Sequence, residues 1–102
     1  MSEAHFIEND RRFKKLPTTP DEWESGFWAI SESTAQALMN GDLYFHEKQT
    51  QPSYFGGTIL GYRLQPDGEY AGRVIFRFRA SNAHKSVKTS RTGWSQEKKI
   101  IF

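Results

Sequence analysis

The chain has no cysteine among its 102 residues. This absence excludes a disulfide framework, a thiolate zinc site and a cysteine nucleophile. No apolar run approaches the roughly 20 residues that a membrane helix requires. The first six residues also lack the basic-then-apolar order of a signal peptide. Noncovalent packing must therefore stabilise the fold, and we expect a cytoplasmic protein that does not enter a membrane.

Motifs of catalysis and metal binding are missing as well. His5, His46 and His84 are far apart in the chain and form no HExxH or His-x-His pair. His46 and its neighbour Glu47 would point to opposite faces of a strand, so we interpret His46 as a surface or edge residue. There is no Gly-x-Ser-x-Gly elbow and no phosphate loop. We expect no metal, no cofactor and no catalytic residue, although enzymatic activity stays open.

The composition predicts one small domain with an aromatic core. Hydrophobic residues make up 36% of the chain and the mean hydropathy is −0.73, yet aromatic residues reach 15%. A chain of this length forms one core rather than two. Residues 1–19 are polar and mixed in charge, which predicts a flexible N-terminal arm before a single domain over 20–102.

Two short helices are predicted near the start of this domain. Thr19, Pro20 and the acidic residues that follow them favour a helix over about 20–25. Ser31 is a typical N-cap for a second helix, whose body is 34–39 and which ends at Asn40-Gly41. Between the two helices, the apolar run 27–30 is typical of a buried strand.

The remaining chain alternates between apolar and polar residues, as strands do. Strands are predicted over 42–48 and 58–64, with 65–69 as a hairpin turn into a strand over 73–80 and a last strand near the C-terminus. Residues 49–57 are predicted to form a mobile loop. The expected fold is a single α+β domain, with a curved, mostly antiparallel sheet or partial β-barrel of about five strands and two short helices.

Three arginines are predicted to share one face of the strand Arg73-Val74-Ile75-Phe76-Arg77-Phe78-Arg79-Ala80. Successive side chains of a strand point to opposite faces, so Arg73, Arg77 and Arg79 lie together while Val74, Phe76 and Phe78 face the core. Arginine forks bind phosphate or carboxylate and stay charged near neutral pH. The row is either a docking surface for an anion or a solvated outer face.

Charge is distributed unevenly along the chain. Residues 1–51 contain five Lys or Arg against nine Asp or Glu, whereas residues 52–102 contain nine against three. The basic half includes Lys85, Lys88 and Arg91 in a polar loop over 81–93. Such a basic region is typical of contact with nucleic acid, and an acidic protein partner would explain it equally well.

Aromatic residues in polar surroundings are candidates for stacking on a base. Trp94 is flanked by Gly93, Ser95 and Gln96, and Tyr54 lies in the predicted loop. Indole and phenol rings next to polar groups suit base stacking. The alternative for both residues is packing within the domain, and core packing is the main alternative for Trp28.

The order of elements resembles the PUA-like group of small β-barrels, which includes the EVE, YTH and ASCH domains. The resemblance rests on a strand with Trp28, a helix that ends at Asn40-Gly41-Asp42, the strand segment Leu43-Tyr44-Phe45-His46, and Gly57-Thr58-Ile59-Leu60-Gly61-Tyr62. It covers about residues 27–80. The resemblance implies binding of RNA or DNA, often of a modified or flipped base beside the barrel. The positions of this sequence that match the motif of the group are only Trp28 and the Gly41-Asp42 turn.

The sequence thus favours a non-catalytic module that binds DNA or RNA. Its predicted contacts are basic residues that hold phosphates and aromatic residues that stack on a base, namely Arg73, Arg77, Arg79, Lys85, Lys88, Arg91, Trp94, Tyr54 and Trp28. Two alternatives stay open. One is a small regulatory module whose basic face docks on an acidic protein, and the other is a small enzyme that acts on a nucleotide.

Overall fold

The computed structural model describes residues 2–17 and 19–102. Within them the chain is mostly β, with seven strands, one short α-helix and one turn of 3₁₀ helix. The strands are β1 Glu3–Ile7, β2 Lys14–Lys15, β3 Glu22–Glu24, β4 Asp42–His46, β5 Ser53–Leu64, β6 Val74–Ala80 and β7 Lys98–Ile101. The helix α1 is Glu32–Ala37, and the 3₁₀ turn is Asn82–His84.

All seven strands belong to one mixed sheet in the order β2-β3-β6-β5-β4-β1-β7. The pair β1 and β4 is parallel, and the other neighbouring strands are antiparallel. In the part of the chain that the structure describes, no helix has the length and apolar character needed to cross a membrane.

The expected α+β class with about five strands and two helices is wrong. The predicted helix at 20–25 is instead β3, which pairs with β6 so that Glu22 lies opposite Arg79 and Glu24 opposite Arg77. Charge attraction between these strands, together with the inward packing of Trp23, outweighs the local helix signal. The predicted strand at 27–30 is reduced to a single bridge between Trp28 and Val74.

Residues 3–7, within the segment expected to be a flexible arm, form β1 inside the sheet. This strand pairs with β4 on one side and with β7 on the other. Its side chains alternate, so that Ala4 and Phe6 enter the core while His5 points to the other face of the sheet. The parallel pairing depends on contacts across about 40 positions of sequence, which no local pattern shows.

The segment 49–57, expected to be a mobile loop, contains the start of β5 from Ser53 onward. Phe55 packs among other rings of the core, with ring centres 4.8 Å from Phe13 and 5.1 Å from Trp23. The two glycines of this segment allow close strand approach, because a Cβ at Gly56 would collide with the carbonyl of Leu43.

The hairpin between β5 and β6 is confirmed, with Leu64 opposite Val74 and a connection longer than predicted, through 65–73. The helix signal at Ser31 is also confirmed, since its side chain accepts a hydrogen bond from the amide of Thr34 at 3.2 Å. The assignment of faces on β6 is confirmed for Val74, Phe76, Phe78, Arg77 and Arg79, but Arg73 precedes the strand and does not share the arginine face. Its core residues are fully buried and its two arginines are exposed.

Candidate functional site

The exposed arginines of β6 lie beside acidic residues of β3. Arg77 Nε is 3.7 Å from the Glu22 carboxylate. Arg63 on β5 forms a two-point contact with Glu24, at 2.8 and 3.1 Å, and this contact lowers the pKa of Glu24. The positive charge of this face is therefore partly balanced by the carboxylates of β3, a strand that the sequence does not predict.

Arg73 lies apart from this face, because it precedes β6 and its guanidinium is 5.0 Å from the ring centre of Tyr70. Arg12 approaches the same ring at 5.5 Å and donates a hydrogen bond to the Tyr70 hydroxyl at 3.0 Å. Tyr70 in turn stacks on Phe27 at 4.8 Å, with the ring planes only 8° apart. Two guanidinium groups and two stacked rings thus meet at one place.

These groups line a pocket of about 310 Å³, which we call the aromatic pocket. Four stretches of chain form it, drawn from residues 7–12, 27–29, 70–73 and 95–98. Trp28 forms part of the lining, although it is almost fully buried and stacks on Phe6 at 3.9 Å. Its Nε1 has no hydrogen-bond partner among the described residues.

The aromatic pocket contains acids as well as bases. Glu8, Asp10 and Glu97 line it together with Arg12 and Arg73. Burial raises the pKa of Glu8, whose side chain is close to Gly26. Hydrogen-bond acceptors and donors are therefore both present around the rings, so the pocket suits a ligand with both kinds of group.

Lys98 completes this lining, because its ammonium donates to the carbonyl of Ala29 and so connects two sides of the pocket.

Two further pockets continue from this one along the sheet. The first, of about 390 Å³, shares Arg12 with the aromatic pocket and adds Lys14 and Arg63. The second, of about 280 Å³, shares Arg63 and adds Arg77. We call Arg73, Arg12, Lys14, Arg63 and Arg77 the basic track, since neighbouring pockets connect them in this order.

Tyr54 and Trp94 are both half-buried. The Tyr54 hydroxyl donates to the carbonyl of Glu8, burial raises its pKa, and the Arg11 guanidinium lies 4.3 Å from its ring centre. Trp94 is T-shaped to both His46, with ring centres 5.6 Å apart, and His5, with ring centres 6.3 Å apart. Neither residue lines the aromatic pocket, although Trp94 precedes a stretch that does.

Lys85, Lys88 and Arg91 are exposed on the segment 85–97, which we call the covering segment. Backbone hydrogen bonds attach its start to β5, since the amide of Ser53 donates to Val87 and that of Ser86 donates to Ser53. These three basic residues do not line the aromatic pocket or the two pockets beside it. The structure thus separates the predicted contacts into two surfaces.

Beneath the covering segment lies a polar layer that the sequence did not indicate. We call His5, His46, His84 and Tyr44 the histidine layer. Tyr44 stacks on His5 at 4.7 Å and is 5.0 Å from His84. The expected surface position of His46 is wrong, because His46 and His5 are both fully buried.

His84 is held from two sides. Its Nε2 lies 2.8 Å from the Asp42 carboxylate, and its carbonyl accepts a hydrogen bond from the Ser53 hydroxyl at 2.6 Å. A Cβ at Gly56 would come within 3.2 Å of the His84 side chain and still closer to the Leu43 carbonyl, so glycine is required there. Within the described residues, no three His, Asp or Glu side chains are arranged to hold a metal ion.

Comparison with protein-family models, with curated proteins and with solved structures yields no match. The similarity to PUA-like domains therefore stays a prediction. The two places where the sequence matches the PUA-like motif, Trp28 and the Gly41-Asp42 turn, have structural roles. Trp28 packs in the core beside the aromatic pocket, and Asp42 binds His84.

Sequence reasoning did not identify Arg12, Phe27 or Tyr70 as functional candidates. The basic residues Arg11, Arg12, Lys14 and Lys15 are a visible signal, but the polar character of residues 1–19 predicts a flexible arm there. Tyr70 follows the predicted hairpin turn, where a single aromatic residue has no periodic pattern around it. Only the longer connection between β5 and β6 brings Tyr70 against Phe27.

Proposed function

We propose that this protein is a non-catalytic module that binds single-stranded DNA or RNA, with one base in the aromatic pocket. The observation that carries the proposal is the arrangement of Arg12 and Arg73 around the ring of Tyr70, which stacks on Phe27. A cytoplasmic location, as expected from the sequence, is part of the proposal.

The dimensions and lining of the pocket support a base as the ligand. A volume of about 310 Å³ is at the lower end of the range for small-molecule sites, so one nucleotide fits better than several. A base that stacks on an aromatic ring gains about 1–3 kcal/mol, and the carboxylates of Glu8, Asp10 and Glu97 are acceptors for amino groups of a base.

The basic track supports a path for the phosphates. It leads from Arg73 at the aromatic pocket to Arg77 on β6, so a single-stranded nucleic acid with one base in the pocket would place its neighbouring phosphates near cations. Arg79 extends the track on the same face of β6. Phosphate contacts of this kind fix position, whereas contacts in the pocket distinguish bases.

A titration with fluorescent oligonucleotides tests the proposal, with single-stranded and duplex DNA and RNA at several salt concentrations. The double variant Arg12→Glu with Arg73→Glu should weaken binding to every sequence. It should also reduce the salt slope by roughly 1.4 units, because each single-strand phosphate contact contributes about 0.7.

The matched control is Arg77→Glu with Arg79→Glu, which reverses the same charge farther from the pocket. We expect a smaller loss, because Glu22 and Glu24 already lie opposite these arginines. Unchanged affinity in the first variant with a large loss in the second would move the site to β6. Binding of an acidic polypeptide that generic RNA and DNA do not compete away would favour the protein-interaction alternative instead.

A further inference from the structure

Three successive hydrogen-bond contacts connect Glu3, His5, His46 and the carbonyl of Gln51. The Glu3 carboxylate is 2.8 Å from His5 Nε2, and His5 Nδ1 is 2.8 Å from His46 Nε2. His46 Nδ1 is 2.8 Å from the Gln51 carbonyl oxygen. We call this the imidazole chain. Both of its ends are acceptors, so every proton in it must come from the two rings.

The hydrogen-bond pattern determines how many protons the imidazole chain holds. The Gln51 carbonyl requires a proton on His46 Nδ1, so a neutral His46 must accept at Nε2 from His5 Nδ1. A neutral His5 then has no proton left on Nε2, and that nitrogen faces the Glu3 carboxylate. One additional proton supplies the missing hydrogen bond, and the charge of Glu3 balances it.

A second additional proton does not fit. With both rings protonated, an N–H of His5 would point at an N–H of His46 across 2.8 Å. Both rings are fully buried, so they cannot turn away from each other into water. The geometry of the imidazole chain therefore admits one proton and excludes the next.

The surroundings favour the neutral forms. Burial lowers the pKa of His5 and of His46, and the charge of Lys99 on β7 acts in the same direction. Glu3 opposes this effect at His5. The other groups around the rings are Tyr44, which stacks on His5, and beyond it His84 with Asp42.

Segment 47–52 contributes the Gln51 carbonyl, and β5 contributes Ser53 opposite His46. The covering segment contributes Trp94, and its Ser90 binds the Lys99 ammonium.

We propose that the imidazole chain is a one-proton switch: the native protein takes up one proton there, and a second proton releases Trp94 and the covering segment from the histidine layer. Trp94 is the first group affected, since its ring packs against both imidazoles in T-shaped contacts. The residues after it, Ser95, Gln96 and Glu97, form one wall of the aromatic pocket. Trp94 therefore connects the switch to that wall.

The effect on stability follows from proton uptake. In the unfolded chain both imidazoles take a proton near their ordinary pKa of about 6.5, whereas the folded chain takes only one. Because burial lowers the pKa of His5 in the folded chain, the unfolded state binds up to two protons more until the first proton is bound and one proton more after that, so stability is full above pH 6.5 and falls as the pH decreases below it. Once the first proton is bound, the folding constant should decrease about tenfold per pH unit.

Nuclear magnetic resonance of the full chain with ¹⁵N-labelled histidine tests the proposal between pH 8 and pH 5. His46 Nδ1 should be protonated throughout, and the pair should gain one proton while the fold stays native. Hydrogen exchange of the Trp94 indole N–H, which is buried, should then accelerate before the sheet amides exchange.

Two variants provide the comparison. In Glu3→Gln the amide group can donate to His5 Nε2, and this bond completes the imidazole chain without an added proton. The His5–His46 pair of this variant should therefore take up no proton at the pH where the wild type takes up one. His84→Gln is the matched control, because it leaves all three contacts intact, and its pair should titrate like the wild type.

Three results would overturn the proposal. The first is a native protein whose His5–His46 pair takes up two additional protons. The second is a Glu3→Gln variant that titrates like the wild type. The third is global unfolding with no earlier change in exchange of the Trp94 indole N–H.

Discussion

Phe76 and Arg77 are neighbours in sequence that face opposite sides of β6, and replacing each by alanine tests the assignment of faces. Phe76 is fully buried and packs against Phe6, with ring centres 6.1 Å apart. Its backbone amide donates to the Ser25 hydroxyl at 2.9 Å, and an alanine keeps that bond. Phe76→Ala therefore removes side-chain packing alone and leaves a cavity among aromatic rings.

The magnitude follows from the size of that cavity. Truncating a buried phenylalanine costs about 3–5 kcal/mol, out of the 5–15 kcal/mol that is typical for a whole domain. For a domain of this size the melting temperature should decrease by about 12–40 °C, since each kcal/mol corresponds to about 4–8 °C. Arg77 is half exposed and its ion pair with Glu22 is loose, so Arg77→Ala should cost no more than about 1 kcal/mol.

Urea unfolding followed by tryptophan fluorescence and circular dichroism measures both variants under the same conditions. The midpoint should move strongly for Phe76→Ala and little for Arg77→Ala, with the slope m unchanged in both. Equal destabilisation by the two substitutions would refute the assignment of faces and with it the register of β6.

Three further substitutions test other parts of the structure. Gly57→Ala should destabilise the fold by about 1–3 kcal/mol, because its Cβ would collide with the backbone of Arg79, while the Cβ of Gly61→Ala in the same strand meets only the Arg77 side chain at 3.8 Å and should be neutral in urea unfolding. Trp94→Ala should lower stability by about 1–3 kcal/mol and Trp94→Phe by less, since a phenyl ring preserves part of the packing on the histidines. Identical melting curves for these two variants would contradict the contact between Trp94 and the histidines. Tyr70→Ala should weaken oligonucleotide binding about tenfold or more under conditions in which the variant stays folded, although loss of the stacking on Phe27 lowers the melting temperature. A loss of binding that only follows unfolding would count against the aromatic pocket.

The two proposals are separable by experiment. Oligonucleotide affinity and its salt slope report on the basic track and the aromatic pocket, whereas histidine titration and indole exchange report on the imidazole chain without any ligand. Failure of nucleic-acid binding would leave the imidazole chain unaffected, because its three contacts lie within the sheet and the segment 47–52.

The sequence alone determined the local elements whose signals are contained in a few adjacent residues. Ser31 caps α1 because its hydroxyl reaches an amide three residues away. The strands β5 and β6 form a hairpin because two alternating runs flank a turn that contains Gly68 and Gly72, both at positive φ. The division of β6 into a buried and an exposed face follows from the period of two along a strand.

The tertiary structure decided what lies beside each element, since pairing between distant segments depends on contacts that no short window of sequence contains. The residues 22–24 have helix signals, yet become β3 because the arginines of β6 and the aromatic core are their neighbours. His5 and His46 are 41 positions apart and meet only because β1 inserts beside β4. Tyr70 and Arg12, separated by 58 positions, share a pocket because the segment that leads into β2 meets the connection between β5 and β6, and local propensity does not depend on contacts at that distance.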